Sequence, residues 1–233
     1  MQRPTDWTEW LITHRFARQS HLFVALLLFL LAGPIIGPAA TEGSRLSMYT
    51  LLIFVVIVGP LAASRNRFEL VVTALFAVGT LLTGVSSAVF ESVAAYSIVL
   101  GALFFAFVSY LIGRDLFRYT PEVNTETLWM AVNLYILTGL FFAFTYACIT
   151  LIYPDAVVGK FMDLPFRDQI YGYIYFSFVT LTTLGYGDIT PNHIAVGALA
   201  YVEALFGQLY IAIMVARLVG LYTTNHDRGG SSG

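Results

Sequence analysis

The stretch TLTTLGYGDITP, residues 180 to 191, has a backbone suited to binding an ion. Glycine adopts left-handed backbone angles without a steric penalty, so Gly185 and Gly187 allow a strand whose dihedral angles alternate. Such alternation turns successive carbonyl oxygens to one side of the strand. When strands of this kind surround an axis, their oxygens form rings that replace the water around a dehydrated monovalent cation.

The chain that must position this strand has the composition of a membrane protein. It is 58% hydrophobic and 11% charged, with a mean hydropathy of +0.77, whereas soluble domains have about 25% charged residues. The net charge is −2 without a basic or acidic block, so no nucleic acid partner is indicated. Membrane lipids are the expected surroundings.

Six apolar runs are long enough to cross a bilayer as helices, which takes about 20 residues each. They are residues 22–40, 46–64, 70–90, 92–113, 127–154 and 189–216, the last interrupted by Glu203. Long runs without alternation favour helices over barrel strands. The motif GPIIGP, with Gly33, Pro34, Gly37 and Pro38, and the pair Gly59-Pro60 are predicted to kink or stop the first two helices.

Basic residues indicate the orientation, because they are retained on the cytoplasmic side. With the N-terminus inside, nine of the twelve lie on that side, and only Arg45, Lys160 and Arg167 lie outside. This predicts a multi-pass plasma-membrane protein with both termini in the cytoplasm. Residues 1–20, with Asp6 and Glu9 at capping-box spacing, are predicted to form an amphipathic helix at the inner interface.

The segment 155–192 is too apolar for a solvated loop and is predicted to re-enter the membrane. Asp168 can cap a helix starting near Gln169, and about 14 residues reach only roughly 21 Å. The strand that follows must be buried in protein or line a water-filled path.

The motif TTLGYGD resembles the signature of tetrameric potassium channels, in which four copies of one strand form the selectivity filter. The resemblance implies K⁺ ions held by the carbonyls of Thr183, Leu184, Gly185 and Tyr186, with the Thr183 hydroxyl at the inner end and Gly187 completing the strand. It implies K⁺ in the filter and no organic cofactor.

The resemblance also assigns supporting positions. Asp188 would lie at the outer mouth, and the Tyr186 ring would pack against the short helix beside Tyr175 and Phe176, with Thr182 supporting the strand. The end of that helix would direct its negative partial charge at a central cavity. Two residues depart from the family pattern: Leu184 replaces the usual valine, and Val179 stands where some members carry an acid.

In the sixth span, the family places a flexible gating glycine at the position of Gly207, although close helix packing explains a glycine equally well. The same alignment makes Gln208, Ile211 and Val215 line the cavity. Glu203 is a functional candidate because it is an acid within a span. It either lies behind the filter, protonated or hydrogen-bonded to Tyr175 or Thr182, or contacts ions directly; we favour the first.

The sequence thus predicts an all-α membrane protein with six transmembrane helices, a re-entrant pore helix and a filter loop, assembled as a four-fold homotetramer. Its divisions are the interfacial helix 1–20, a four-helix domain 21–126, a pore domain 127–222, and a tail 223–233 whose final GGSSG resembles an engineered linker. The four-helix domain resembles a voltage sensor without its arginines, since the run 92–113 contains no Arg or Lys.

The expected function is passive, weakly voltage-dependent K⁺ conduction, and no enzymatic constellation is present. A nonselective cation channel and a nonconducting regulatory membrane subunit are the alternatives. No nucleotide- or calcium-binding domain follows the sixth span, so either gating is intrinsic or a cytoplasmic regulatory region has been removed.

Overall fold

A computed structural model describes residues 15–36, 42–86, 93–118, 125–164 and 169–230. These residues form a mostly helical chain with one short two-stranded ladder. The helices are α1 (Arg15–Ile36), α2 (Glu42–Ala63), α3 (Arg67–Ser86), α4 (Ala94–Arg118), α5 (Thr125–Ile152), α6 (Ile170–Leu181) and α7 (Ile194–Gly230). The strands are β1 (Val157–Gly159) and β2 (Ile189–Pro191).

Four helices in the described ranges are long and apolar enough to cross a membrane, namely α3, α4, α5 and residues Ile194–Arg217 of α7. Within α1 and α2, the stretches Gln19–Leu31 and Ile53–Ala63 are apolar but shorter. The protein is therefore a membrane protein, and crossing by α1 and α2 stays a prediction. Helix α6 has 12 residues, or about 18 Å, too short to span the hydrocarbon.

Helix α2 continues through Pro60 and ends at Ala63, so Gly59-Pro60 does not stop it immediately, and a kink there stays a prediction. Pro60 lacks a donor, but it lies in the last turn, and its carbonyl accepts a hydrogen bond from Ser64 N at 3.1 Å. Helix α1 likewise continues past Pro34 to Ile36. Two other predictions, the capping box of Asp6 and Glu9 and the Asp168 cap, lie outside the described residues.

Helix α5 lies at the centre of the chain. In its most apolar stretch, 56% of the residues are buried, compared with 22% in the corresponding stretch of α7. Helices α1, α4, α6 and α7 all pack on it. Its apolar residues occur on all sides, as expected for a helix surrounded by others.

Two glycine–aromatic contacts set how closely the helices approach α5. A Cβ at Gly101 of α4 would overlap the ring of Phe144, and a Cβ at Gly139 of α5 would lie 2.8 Å from Phe178 Cζ on α6. Small residues allow such close approach in membrane helix packing. The three helices therefore form successive layers behind the strand at 183–187.

A compact charge cluster joins the α2–α3 turn to α4 on the predicted cytoplasmic side. It comprises Arg65, Glu69, Arg114 and Asp115. Asp115 accepts from Arg65 Nε at 2.8 Å and from Arg114 Nη2 at 3.0 Å, and Arg114 also pairs with Glu69. Glu69 accepts from the backbone of Arg65 while its own amide donates to Asn66 Oδ1, both at 2.8 Å. Asn66 is therefore the N-cap of α3, and Glu69 caps the amide of the residue before it, in an arrangement close to a capping box.

Candidate functional site

The short helix α6 ends in the strand that the sequence predicts to bind ions. Carbonyls in its last turn accept hydrogen bonds from the strand. Leu184 N donates to Val179 O at 2.9 Å, and Thr183 N donates to Thr180 O at 2.9 Å. Gly185 N shares the Val179 carbonyl at 3.3 Å. These bonds cap the helix and fix where the strand begins.

The backbone of the strand, residues 183–187, alternates in handedness. Thr183, Gly185 and Gly187 have positive φ angles of 57°, 58° and 76°, whereas Leu184 and Tyr186 between them do not. The predicted left-handed angles at the two glycines are confirmed. The angle at Thr183 was not predicted, and it is unusual because a β-branched residue is strained there.

A small antiparallel ladder holds the outer end of the strand. Strand β2 pairs with β1, and Lys160 N donates to Asp188 O at 3.0 Å. A Cβ at Gly159 would overlap that same Asp188 oxygen, and the φ of Gly159 is 127°. Glycine is therefore required at position 159, where β1 passes the Asp188 carbonyl.

Aromatic side chains of α6 face both the strand and α5. The Tyr175 hydroxyl donates to Asp188 Oδ2 at 2.9 Å, and its ring stacks on Tyr186 with centroids 6.5 Å apart and planes 10° apart. Phe176 is buried against Tyr146 of α5, with ring centroids 4.9 Å apart. Of these two neighbouring residues, Tyr175 therefore contacts the strand, and Phe176 contacts α5, the outer helix of the predicted pore.

At the inner end, α7 contacts the strand and the end of α6. Gln208 Nε2 donates to Thr183 Oγ1 at 3.0 Å. A Cβ at Gly207 would overlap the Leu181 carbonyl oxygen. The Thr182 hydroxyl donates to Phe178 O within its own helix. Further along α7, Ile211 and Val215 are about half exposed in the single chain, at 49% and 55%.

Glu203 is fully buried behind α6 with partners other than those predicted. Tyr146 of α5 donates to Glu203 Oε2 at 2.6 Å, and the Ser177 hydroxyl of α6 lies against Glu203 Oε1. The predicted partners Tyr175 and Thr182 bond to Asp188 and Phe178 instead. Tyr146 and Ser177 are the residues that sequence reasoning missed. An intramembrane acid signals the need for donors, but helix packing decides which ones it meets.

In the part of the chain that the structure describes, no cluster of three His, Cys, Asp or Glu side chains could hold a metal ion. Residues 183–187 carry no acidic, imidazole or thiol side chain, so the oxygens that they offer a cation are backbone carbonyls and the Thr183 and Tyr186 hydroxyls. Carbonyl oxygen suits hard monovalent cations, and rings of carbonyls select them in channels.

Comparisons with known proteins identify the family. An ion channel family model matches residues 135–224, which contain most of α5, all of α6, the strand and most of α7. Protein LctB of Bacillus caldotenax is 34% identical over 104 residues, which cover 43% of this chain and 75% of LctB. The chain belongs to the ion channel family. No solved structure matches this ion channel chain. Residues 183–187 lie inside the matched ion channel region. Helices α1 to α4 precede it and are not part of the match.

Proposed function

We propose that four copies of this chain form a potassium-selective channel whose filter is the strand 183–187. The observation that carries the proposal is the alternation of backbone handedness at Thr183, Gly185 and Gly187, directly after a short helix that does not span the membrane. Each chain supplies one strand. Rings of four carbonyls from Thr183 to Tyr186 would then substitute for the hydration shell of K⁺.

The exposure of the single chain supports assembly around the strand. Leu184 and Tyr186 are 55% and 66% exposed, although they follow a buried helix. A row of large apolar side chains on α7 is also exposed, at Tyr201, Leu205, Leu209 and Ile213. A polar strand backbone in lipid needs protein or water around it, and neighbouring copies would supply both an enclosure and a central path.

The proposed arrangement has six spans, with both termini in the cytoplasm of the plasma membrane. The distribution of basic residues favours this orientation, and it places the charge cluster on the cytoplasmic side. Gln208, Ile211 and Val215 would then line the water-filled cavity beneath Thr183. Conduction is passive, and membership of an ion channel family favours transport over catalysis.

Flux from liposomes containing the purified chain tests the proposal. We expect K⁺ efflux that Ba²⁺ blocks and a bi-ionic reversal potential favouring K⁺ over Na⁺. A reversal potential near zero would identify a nonselective cation channel, for which the leucine at 184 would be the first residue to examine. Absence of flux from correctly reconstituted protein would identify a nonconducting subunit.

Two glycine variants link that flux to the strand. A Cβ at Gly185 or at Gly197 would meet no atom within 4 Å, but only Gly185 has a left-handed φ. Gly185→Ala should therefore abolish selective flux, because a Cβ at this left-handed φ strains the strand. Gly197→Ala, in helix α7, adds the same methyl group and should conduct normally. Equal flux from both variants would exclude the strand as the filter.

A further inference from the structure

The buried contacts of Glu203 form a continuous chain of oxygen atoms across three helices. Glu203 of α7, Ser177 of α6 and Tyr146 of α5 are all 0% exposed. Tyr146 Oη lies 2.6 Å from Glu203 Oε2, Ser177 Oγ lies against Glu203 Oε1, and Ser177 Oγ lies 2.7 Å from the Gly139 carbonyl. Each of these oxygen pairs is within hydrogen-bond distance.

The number of hydrogens available to these oxygen contacts determines whether the Glu203 carboxyl group is protonated. Three oxygen–oxygen contacts need three hydrogens. The Tyr146 and Ser177 hydroxyls supply one each, and the Gly139 carbonyl supplies none. The third hydrogen must come from Glu203. With an ionised carboxylate, one pair of oxygens would be held together with no hydrogen between them.

We infer that Glu203 is a neutral carboxylic acid that donates to Ser177 Oγ, while Ser177 donates to the Gly139 carbonyl and Tyr146 donates to Glu203 Oε2. The hydrogen bonds then all run in one direction, and every member is satisfied. Glu203 acts as a positioning residue: it holds the pore helix α6 between the outer helix α5 and the inner helix α7. This holds whichever cation the channel conducts.

The surroundings of Glu203 favour the neutral form. Both side chains that hydrogen-bond it are hydroxyls, so neither offers a compensating positive charge. Tyr135, also on α5, is close enough to interact with it electrostatically and is a phenol as well. A buried carboxylate without a cationic partner is costly, and such groups usually take up a proton instead.

The position of Ser177 connects this acid to the filter strand. Ser177 precedes Val179 by two residues, and the Val179 carbonyl accepts the amides of Leu184 and Gly185. A shift of α6 relative to α5 and α7 would therefore move the start of the strand. The neutral acid fixes the helix at the height where the strand is attached.

Infrared spectroscopy of the reconstituted full chain tests the inference without relying on conduction. We expect the wild type to show a carbonyl-stretching band of a protonated carboxylic acid at neutral pH, shifted down by deuterium exchange and absent in Glu203→Gln. Tyr146→Phe should keep the band and raise its frequency, because one hydrogen bond to the acid is lost. If neither difference spectrum shows such a band, the inference is overturned, whatever the flux assays show.

Thermal stability provides a second readout. The amide of Glu203→Gln can donate to Ser177 and accept from Tyr146, so it should melt close to the wild type, whereas Glu203→Leu should melt well below both. Raising the pH from neutral to alkaline should lower the wild-type melting temperature but leave Glu203→Gln unaffected until the phenols Tyr135 and Tyr146 ionise. Glu203→Gln melting as low as Glu203→Leu would contradict the neutral acid.

Discussion

At the scale of single residues, the last carbonyl of α6 is the point where three helices meet. Leu181 O accepts the Tyr135 hydroxyl of α5 at 3.2 Å. It also lies directly against Gly207 of α7, where a side chain would overlap it. The glycine is therefore needed for close packing in this structure. A gating role for Gly207 remains a proposal, and a hinge here would have to move against the end of the pore helix.

Gly207→Ala should destabilise the protein. The added methyl group would displace backbone, a strain worth about 1–3 kcal/mol, which exceeds the gain of about 1 kcal/mol from helix propensity. The melting temperature in detergent measures the effect. Gly197→Ala in the same helix meets no atom within 4 Å and should be neutral or slightly stabilising. Similar changes in both variants would show that the close contact at Gly207 is absent.

Tyr175→Phe should make the outer end of the strand less stable. Asp188 loses a donor at 2.9 Å, and Val179 supplies no acidic partner in its place; a hydrogen bond of this kind contributes about 1 kcal/mol. We expect K⁺ flux from liposomes to decline faster with time than in the wild type. Tyr153→Phe makes the same chemical change where the ring stacks on His193, so its flux should be unaltered.

Residue-level prediction from the sequence succeeded where backbone chemistry decides and failed where packing decides. The left-handed glycines followed from the absence of a Cβ. The left-handed Thr183 could not be predicted, since local preference opposes it and capping bonds from α6 impose it. The donors to Glu203 could not be predicted either, because they depend on the rotation of α5 and α6 about their axes.

At the scale of helices, a buried amide pair joins the first two helices to α5. Asn133 Nδ2 donates to Gln19 O at 2.8 Å and to Gln19 Oε1 at 3.0 Å, and Gln19 Nε2 donates to Ala62 O at 2.9 Å. Both amide side chains are almost completely buried. Polar contacts of this kind fix the register of helices that apolar surfaces alone would leave free to slide.

Asn133→Ala should lower the stability of the whole chain. It leaves the Gln19 carbonyl oxygens without this donor in a buried site, at a cost of about 1–3 kcal/mol. Thr138→Val is the matched control on the same helix, because the Thr138 hydroxyl donates to Leu134 O of its own helix. Denaturation midpoints of the two variants should differ clearly. A loss for Thr138→Val as large as that for Asn133→Ala would show that the amide pair is unimportant.

Helices were easier to predict from the sequence than the short ladder. The apolar runs located α3, α4, α5 and α7, because a helix in lipid must satisfy its own backbone. The pairing of β1 with β2 was missed, since three-residue strands carry no periodicity and depend on Gly159 passing beneath Asp188. Helix α2 runs through Pro60 to Ala63 because a proline in the last turn disturbs few hydrogen bonds.

At the scale of the whole molecule, α4 contacts the helices of the ion channel region at two places along its length. In the middle, Gly101 packs on Phe144 of α5. Near the predicted cytoplasmic end, the Arg217 guanidinium of α7 lies over the Phe117 ring of α4 at 5.4 Å. The charge cluster neighbours this contact in sequence. The Phe117–Arg217 contact thus joins α4 to α7 near the predicted cytoplasmic end of both helices.

This arrangement predicts weak voltage dependence. Moving one charge through the membrane field is worth about 2.3 kcal/mol per 100 mV, but the membrane part of α4 contains no Arg or Lys. Its basic residue nearest the bilayer, Arg114, is held by Glu69 and Asp115. Channels in planar bilayers should therefore give a shallow conductance–voltage curve.

The variant Arg114→Gln distinguishes a stabilising role of the charge cluster from a role in voltage sensing. Removing the guanidinium leaves Glu69 and the buried Asp115 with less compensating charge, so the melting temperature should fall, by a free energy of about 3 kcal/mol when a buried pair is broken. The slope of the conductance–voltage curve should stay unchanged, because Arg114 carries no gating charge in a fixed cluster. A steep wild-type curve that flattens in Arg114→Gln would mean that the cluster moves in the field, and the four-helix domain would then be a sensor after all.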